Sequence, residues 1–497
     1  MEDQPSSAIL TISENLIRFD PKTHIKRMNL LGIQPQLLYV CGILTPNWFS
    51  KSTFRSVIFK FYSNLLLLWF LPHITSQIMA LYQHMNRFAT LTDLIFQLAL
   101  FIHTVIITFY FVTYKSQLAK ILDLLESQFT PYFERICILN IHKPLIEDVT
   151  KQGTIVTKAL LGVLSSCLLS WGVFPAMVRY YDLYFTTDQE KDESLNITEE
   201  YIKYFGLVVW LPPNVNEFPV YELVYIFDFI GTVGVACNCS GVQSIFLVIM
   251  FTISTHFKII IASIQNIPIK FPEILKQKKY VFENNGPNTN LNILSMNVIA
   301  LHPNRPDTMI DSDTEYNNMK SNSDIIHSED LLNPELEERV YKYLVNLTKY
   351  HQILLEFCKD VNDFLSPVLL VFVLGCEAMV CFAAFRLALE LNEGNFKFFT
   401  SAVSMVIWLL IICWYGEHLI EQSIKVQVNA YDYNWINQST RIKKLLQMII
   451  MRAQNPVKLT AGKFYPVSLQ TFAEIGNKVY AFYTLLKQML ADSEITG

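Results

Sequence analysis

The sequence predicts an all-α membrane protein with seven transmembrane helices. Three observations support this: 52% of the 497 residues are hydrophobic, only 17% are charged, and the apolar residues form long runs. Soluble domains carry about 25% charged residues, whereas a spanning helix needs about 20 mostly apolar residues. The net charge of −5 excludes a basic nucleic-acid-binding protein. We therefore expect membrane lipid, and no nucleic acid, around this chain.

Seven apolar runs have the length of a transmembrane helix. In chain order they lie near Val57–Leu81, Leu91–Val112, Thr154–Val178, Tyr221–Phe251, Pro367–Leu389, Phe398–Tyr415 and Pro466–Met489. The seventh run is the weakest, because it carries Glu474, Asn477, Lys478 and Gln488. The segment before the first run is polar and mixed in charge, so we do not expect a secretory signal peptide there.

The lysine and arginine residues indicate how the spans are oriented. Most of them fall in the N-terminal segment and in the stretches 115–158, 256–366 and 417–465, which lie on one side of the predicted spans. Basic loops stay in the cytoplasm, so we expect a cytoplasmic N-terminus and, after seven spans, an extracellular C-terminus. The sequon at Asn196 then falls in an extracellular loop, where glycosylation is expected.

The chain is predicted to form a single seven-helix domain over residues 1–497. Residues 1–56 form its cytoplasmic N-terminal segment. Residues 272–333 are rich in Asn, Asp and Ser and are expected to be a flexible cytoplasmic insert. Residues 335–364 then have apolar positions at helical spacing, which predicts a cytoplasmic helix that runs into the fifth span.

The motifs of common enzymes are missing from the sequence. There is no Walker A loop, GxGxxG, HExxH or GxSxG pattern. The nine cysteines lie mostly in apolar runs, and Cys237 and Cys239 lack a second pair with zinc spacing. We therefore expect no enzyme activity, no metal and no cofactor. A cytoplasmic N-terminus also argues against a G-protein-coupled receptor.

Ionisable residues inside the spans allow two interpretations. Asp228 is either hydrogen-bonded near the outer rim of the fourth span or a polar contact to a ligand. Arg386 and Glu390 are four residues apart near the outer end of the fifth span, so we expect them to pair on the helix surface.

The C-terminal region resembles that of the insect odorant receptors. The matching stretches are Trp414-Tyr-Gly416, Glu421-Gln-Ser423, Ala430-Tyr431, Trp435, Arg452–Pro456, Leu459–Phe464 and Tyr480–Leu486. The resemblance covers nearly the whole chain, but only the last 85 or so residues are highly specific. One departure is Gln243, where many members carry an acidic residue in the fourth span.

The resemblance implies a subunit of a tetrameric, odorant-gated cation channel in the plasma membrane of olfactory sensory neurons. A small volatile odorant would be the ligand and cations the permeant ions. The chain does not resemble the shared co-receptor Orco at its N-terminus, so it is expected to be the odour-specific subunit of a heterotetramer with Orco. A self-sufficient homotetramer is the alternative, followed by another seven-span receptor or a transporter that shares only the topology.

The family places its ligand pocket in the outer half of the bundle, between spans two, three, four and six. An apolar volatile must be bound mainly through aromatic and aliphatic area. The residues at suitable depth are Phe96, Leu100, Ser170, Trp171, Phe174, Tyr225, Phe229, Val233, Phe398, Ser401 and Met405. The alternative for each of them is that it only packs the bundle.

Residues 417–490 are expected to hold a cytoplasmic anchor and the pore helix. On a helical wheel of the last span, one face carries Glu474, Lys478, Ala481, Leu485 and Gln488. Leu485 is the bulky apolar member of that face, so a ring of four would form a hydrophobic constriction. The resemblance matches Leu485 and Gln488 to the family's gate. Glu474 and Lys478 are expected to neutralise each other.

The subunit anchor is expected around Tyr431 and Trp435. This segment is predicted to lie outside the lipid, where exposed apolar area must be covered by protein. The family builds its central contact between subunits from this region. The alternative is that both side chains pack within their own subunit.

Overall fold

The computed structural model describes residues 34–46, 52–85, 88–127, 129–137, 139–185, 201–274, 334–388, 395–436 and 438–496. Within these ranges the chain is helical apart from its loops and one short hairpin. The helices are α1 Gln34–Val40, α2 Thr53–Leu68, α3 Phe70–Gln83, α4 Phe88–Thr113, α5 Lys115–Ser127, α6 Thr130–Ile136, α7 Leu139–Leu168, α8 Phe174–Phe185, α9 Val220–Gln265, α10 Ile267–Lys270, α11 Pro334–Ala388, α12 Asn395–Asp432, α13 Thr440–Ala453 and α14 Leu469–Thr496. The hairpin pairs β1 Thr460–Ala461 with β2 Tyr465–Pro466. The prediction of an all-α membrane protein is confirmed.

Six helical segments of the described chain are long and apolar enough to cross a membrane. They are Thr53–Gln83, Thr90–Thr113, Ile141–Tyr184, Val220–Gln265, Pro334–Arg386 and Phe398–Asp432. We number these spans one to six. The seventh predicted span coincides with α14, whose 28 residues extend for roughly 42 Å. It is long enough to cross the membrane, and it carries the charged and amide side chains that made its sequence the weakest of the seven.

Two of the helices are much longer than a membrane is thick. Span four, α9, has 46 residues, and α11 has 55. At 1.5 Å per residue α11 is about 80 Å long, against a hydrocarbon core of about 30 Å. The predicted helix over residues 335–364 is therefore confirmed as the first half of α11. It continues without interruption into span five.

Spans one and three are interrupted close to a proline. Trp69 separates α2 from α3, and Pro72 follows three residues later. In span three, a π-helical turn at Leu169–Val173 precedes Pro175. Proline has no backbone N–H and breaks the regular hydrogen-bond ladder. The π turn matters for the site, because it sets the direction of Ser170, Trp171 and Gly172, all of which are buried.

The largest core cluster surrounds the C-terminal half of α9. In the most apolar part of that helix, 94% of the residues are buried, so it is the central element of the subunit. The buried His256 on α9 lies 2.7 Å from the Tyr350 hydroxyl on α11. The Tyr343 hydroxyl also donates to the Ser263 carbonyl of α9. These polar contacts fix α11 against the central helix.

The hairpin is fixed to α11 next to Pro367, a residue that lies inside this helix and has no backbone N–H to donate. Asn362 Oδ1 accepts hydrogen bonds from the Thr460 N–H and hydroxyl. One turn later, the Ser366 carbonyl accepts the Gly462 N–H. The hairpin leads directly into α14, so this junction sets where the last helix starts.

Some predicted features lie outside the described residues. These are the Asn196 sequon, Glu390, residues 1–33 and 47–51 of the N-terminal segment and residues 275–333 of the insert. The orientation of the termini relative to the membrane stays a prediction.

Candidate ligand cavity and pore helix

A mainly apolar cavity of about 100 Å³ lies between spans two, three, four and six. Its lining residues are Phe96, Leu100, Phe101, Val163, Leu164, Cys167, Leu168, Trp171, Leu207, Thr232, Val235, Ala236, Cys239, Ser240, Gln243, Ser401, Ser404, Met405 and Trp408. Aliphatic, aromatic and sulfur-bearing side chains dominate this wall. Such a surface binds small apolar molecules through buried area, with a few polar groups to orient them.

The π turn of span three brings Trp171 into this wall. A π turn adds a residue to the helical repeat, and such turns are frequent at functional sites. The Trp171 indole N–H donates to the Ser401 hydroxyl of span six at 2.8 Å. The Tyr225 hydroxyl donates to the Gly172 carbonyl, so this backbone carbonyl in the π turn has a hydrogen-bond partner. The turn is thereby tied to spans four and six.

Phe398 packs behind the cavity wall against Phe96 and Trp171, and we call these three rings the aromatic layer. Phe398 is fully buried, and its ring centroid lies 5.4 Å from that of Phe96 and 5.8 Å from that of Trp171. Both contacts are edge-to-face, a favourable geometry for aromatic pairs. Phe398 therefore supports two residues of the wall without lining the cavity itself.

The structure places the expected ligand residues in two groups. Phe96, Leu100, Trp171, Ser401 and Met405 line the cavity, and Phe398 lies behind it. The other five do not line it: Ser170, Phe174, Tyr225, Phe229 and Val233. Of these, Ser170 is buried, whereas Phe174 and Phe229 are 47% and 37% exposed.

The face of α9 that lines the cavity could be found only in part from the sequence. The expected residues Tyr225, Phe229 and Val233 form one stripe of that helix. The cavity is lined instead by the neighbouring stripe, which consists of Thr232, Val235, Ala236, Cys239, Ser240 and Gln243. Small and polar residues recur there at spacings of three and four, the one sequence signal that marks this face.

The loop that precedes α9 covers one end of the cavity. Asp228 accepts hydrogen bonds from the Gly206 and Leu207 N–H groups at 2.9 and 3.0 Å. Gln97 Oε1 accepts the Val208 N–H at 2.8 Å. Leu207 thereby reaches the cavity wall. Of the two interpretations of Asp228, the structure agrees with the hydrogen-bonded one, because its carboxylate organises this loop.

Arg386 corrects one expectation. The expected surface position of Arg386 is wrong, because this residue is only 5% exposed and its Nε donates to Asp93 Oδ1 of span two at 2.6 Å; its expected partner Glu390 lies outside the described residues. A buried guanidinium needs a close carboxylate, and helical spacing within α11 cannot show a partner on another helix. The Arg386 guanidinium also lies 5.5 Å from the Phe398 ring centroid, directly behind the aromatic layer.

The last helix, α14, leaves the expected pore face uncovered in the subunit. Glu474, Lys478, Ala481, Leu485 and Gln488 are all exposed. Of the opposite face, Phe472 and Val479 pack against the core cluster. The expected pairing of Glu474 with Lys478 is wrong: Lys478 lies 3.8 Å from Glu377 of span five, and Glu474 accepts from Gln470. Glu377 of span five lies closer to Lys478 than Glu474 does, although Glu474 is its neighbour four residues earlier in the helix.

The expected anchor residues lie at the end of α12 and in the turn that follows. Tyr431 is 63% exposed, while Trp435 is half-buried and donates its indole N–H to the Tyr431 carbonyl at 3.2 Å. Exposed apolar side chains continue nearby at Val428, Ile436, Met448 and Met451. Several exposed apolar side chains thus occur on the end of α12, on the turn after it and on α13.

The described residues contain neither a metal-binding cluster nor a disulfide. No group of three or more His, Cys, Asp or Glu side chains within them is placed to hold a metal ion. Their nine cysteines are all free. Cys239 lines the cavity, and the Cys237 carbonyl accepts from the Cys41 thiol at 3.0 Å.

Comparison with known proteins identifies the family of this chain. A family model described as 7tm Odorant receptor matches residues 183–480. Putative odorant receptor 92a of Drosophila melanogaster is 30% identical over 151 residues, which are 30% of this chain and 37% of that protein. Odorant receptor 10 of Aedes albopictus is 27% identical over 147 residues, or 29% and 39% of the two chains. These sequence matches thus span well under half of each relative.

The fold has a counterpart among solved structures. The insect olfactory receptor OR5 from Machilis hrabei, solved in complex with eugenol, superposes with a TM-score of 0.64 at 15% sequence identity. The superposition covers 93% of this chain and 97% of that receptor. At this identity the match shows a shared fold. Because the family model covers more than half of the sequence, this multi-pass membrane protein belongs to the odorant receptor family.

Proposed function

We propose that this protein is a subunit of an odorant-gated cation channel and that the cavity described above is its odorant site. The observation that supports this most strongly is the cavity itself: it is apolar, it lies inside the bundle, and the loop held by Asp228 covers one end of it. Burial of apolar area contributes about 25 cal/mol per Å², so such a wall suits a small volatile molecule. The receptor family and the absence of enzyme motifs agree with this proposal.

The pore is proposed to be lined by α14 from each of four subunits. The exposed face Glu474, Lys478, Ala481, Leu485 and Gln488 is costly against lipid but tolerable against water. Leu485 is 56% exposed in the single subunit. Four such leucines would form a constriction that closes by dewetting, and Gln488 would line the opened path.

Subunits are proposed to meet at the cytoplasmic surface around Tyr431 and Trp435. Its exposed apolar side chains require a protein partner in water. We propose Orco as that partner, in a heterotetramer in the plasma membrane of olfactory sensory neurons. The alternative is a homotetramer, in which the same surface would meet copies of itself.

The experiment is current recording in cells that lack other olfactory proteins, with the chain expressed alone or together with Orco. A panel of volatiles is expected to evoke cation current when both subunits are present. Current from the chain alone would favour the homotetramer. Strict dependence on an added G protein would contradict the channel proposal.

A further inference from the structure

Gln243 lies in the middle of α9, where the ligand cavity meets a second, smaller one. The smaller cavity has a volume of about 20 Å³ and shares Cys239, Gln243 and Met405 with the first. Its remaining wall includes the polar side chains of His103, Thr104 and Asn238. Both cavities are mainly apolar, and these few polar side chains are the groups that can orient a ligand.

Three hydroxyl groups of the main cavity already donate within the protein. The Thr232 hydroxyl donates to the Asp228 carbonyl at 3.1 Å, and the Ser240 hydroxyl donates to the Ala236 carbonyl at 3.0 Å. The Ser404 hydroxyl donates to the Thr400 carbonyl at 2.7 Å. Each of these polar groups therefore already has a hydrogen bond in the protein, although its oxygen can still accept another.

The amide of Gln243 differs from these groups. The residue is only 4% exposed, and its Oε1 atom has no hydrogen-bond partner among the described residues. Burying a polar atom without a partner costs free energy. A ligand group that donates a hydrogen bond here recovers that cost, which a purely apolar ligand cannot do.

We propose that the pocket selects volatiles that carry a hydroxyl group on an apolar body, with the hydroxyl donating to Gln243 Oε1. The carbon skeleton then lies against Phe96, Leu100 and Trp171. A cavity of about 15 Å³ or more accommodates one water-sized group, so the smaller cavity is large enough for the hydroxyl end. This inference rests on the proposed function, because it requires the main cavity to be the odorant site.

The ligand class follows from the chemistry of the acceptor. A carboxamide oxygen accepts hydrogen bonds and cannot donate them. Alcohols and phenols supply the missing donor, whereas ethers and hydrocarbons do not. A charged ammonium would also donate, but its desolvation inside an apolar wall is far more costly.

The test uses 1-hexanol, 1-octanol and 2-phenylethanol, each compared with its methyl ether and with the hydrocarbon in which a methyl replaces the hydroxyl. Potency is measured as evoked current with Orco, and binding as ligand-induced thermal stabilisation of the purified chain. The wild type is expected to prefer at least one alcohol over both of its analogues by roughly tenfold, the value of one net hydrogen bond. Gln243→Met keeps the length of the side chain, removes the acceptor and should abolish this preference.

Thr252→Val is the control, because it removes a hydroxyl from the same helix at a position that lines neither cavity. It should leave the alcohol preference within about twofold of wild type, since that hydroxyl donates to the Val248 carbonyl and does not reach the ligand. A wild type that responds to volatiles but ranks no alcohol above its analogues overturns this inference and leaves the proposed function intact. So does a Gln243→Met variant that keeps the preference. A chain that binds none of the compounds and gives no current to any volatile overturns both.

Discussion

Asp93 and Arg386 form a buried ion pair that joins span two to span five, 2.6 Å apart and directly behind the aromatic layer of the cavity. Phe398 packs against Phe96 and Trp171, which line the cavity, and so connects them to the ion pair. The same helix that carries Arg386 also carries Glu377, which contacts Lys478 of α14. Span five therefore touches both the rear of the cavity and the proposed pore helix.

The ion pair gives the first prediction. Asp93→Asn leaves the Arg386 guanidinium buried without a compensating charge, and breaking a buried pair in this way costs about 3–5 kcal/mol. We expect a clear drop in the melting temperature of the purified protein.

Asp363→Asn is the control, because its pair with Lys463 is exposed on both sides and exposed pairs contribute about 0–1 kcal/mol. The double variant Asp93→Leu/Arg386→Met should recover most of the loss, since it leaves no unpaired charge. Equal melting temperatures for Asp93→Asn and wild type would show that the pair does not hold the two spans together.

The turn of the hairpin gives the second prediction. Gly462 and Lys463 have φ values of +62° and +65°, as the two central residues of a type I′ turn require, and the Phe464 N–H donates to the Ala461 carbonyl across this turn. A Cβ at Gly462 would also lie 2.7 Å from a Leu370 methyl carbon. Gly462→Ala should destabilise the protein by about 1–2 kcal/mol from the left-handed backbone alone.

The neighbouring change Lys463→Gly tests the same cause in the opposite direction. Lys463 adopts the left-handed conformation despite having a side chain, so glycine should be tolerated there. Gly462→Ala should therefore lower the melting temperature, whereas Lys463→Gly should leave it close to that of the wild type. A loss at Lys463→Gly as large as at Gly462→Ala would point to side-chain contacts instead of backbone strain.

The sequence predicted the helices better than it predicted their contacts. Long apolar runs identify spans because lipid requires them, and the regular spacing of Leu336, Val340 and Leu344 marks the buried face of α11. The partner of Arg386 is 293 residues away in the sequence, and helical periodicity carries no information about it. The π turn near Trp171 also changes which side chains face inward, and a wheel with constant angle per residue cannot reproduce that.

The cavity wall gives the third prediction. Met405 lines the cavity, so Met405→Ala should enlarge it and shift the potency ranking toward longer odorants. Adding one methylene to a ligand that fills new apolar space is worth about 0.8 kcal/mol, or roughly fourfold in potency. Dose–response curves for a homologous series of odorants measure this shift.

Phe174→Ala is the control for the cavity variant, because Phe174 is 47% exposed and does not line the cavity. Its ranking of the same odorants should match that of the wild type. If the potency ranking changes with Phe174→Ala and not with Met405→Ala, the odorant site lies around Phe174 and not in the cavity.

The anchor gives the fourth prediction. Trp435→Asp places a carboxylate in an apolar contact, so recovery of tetramer in size-exclusion chromatography should be largely lost. Trp435→Phe keeps the aromatic area and loses only the hydrogen bond to Tyr431 within the subunit, so tetramer should persist. Intact tetramer from Trp435→Asp would show that this surface packs only within its own subunit.

The pore helix gives the fifth prediction. If four copies of Leu485 close the path by dewetting, Leu485→Ser should admit water and raise the basal current several-fold without odorant. Gln488→Ala, one turn away, should change cation permeability ratios with little effect on basal current. Val479→Ala is the control, because Val479 packs against the core on the opposite face. It should lower stability and leave permeation unchanged. Basal current and selectivity equal to wild type in both Leu485→Ser and Gln488→Ala, at normal surface expression, would remove α14 from the ion path.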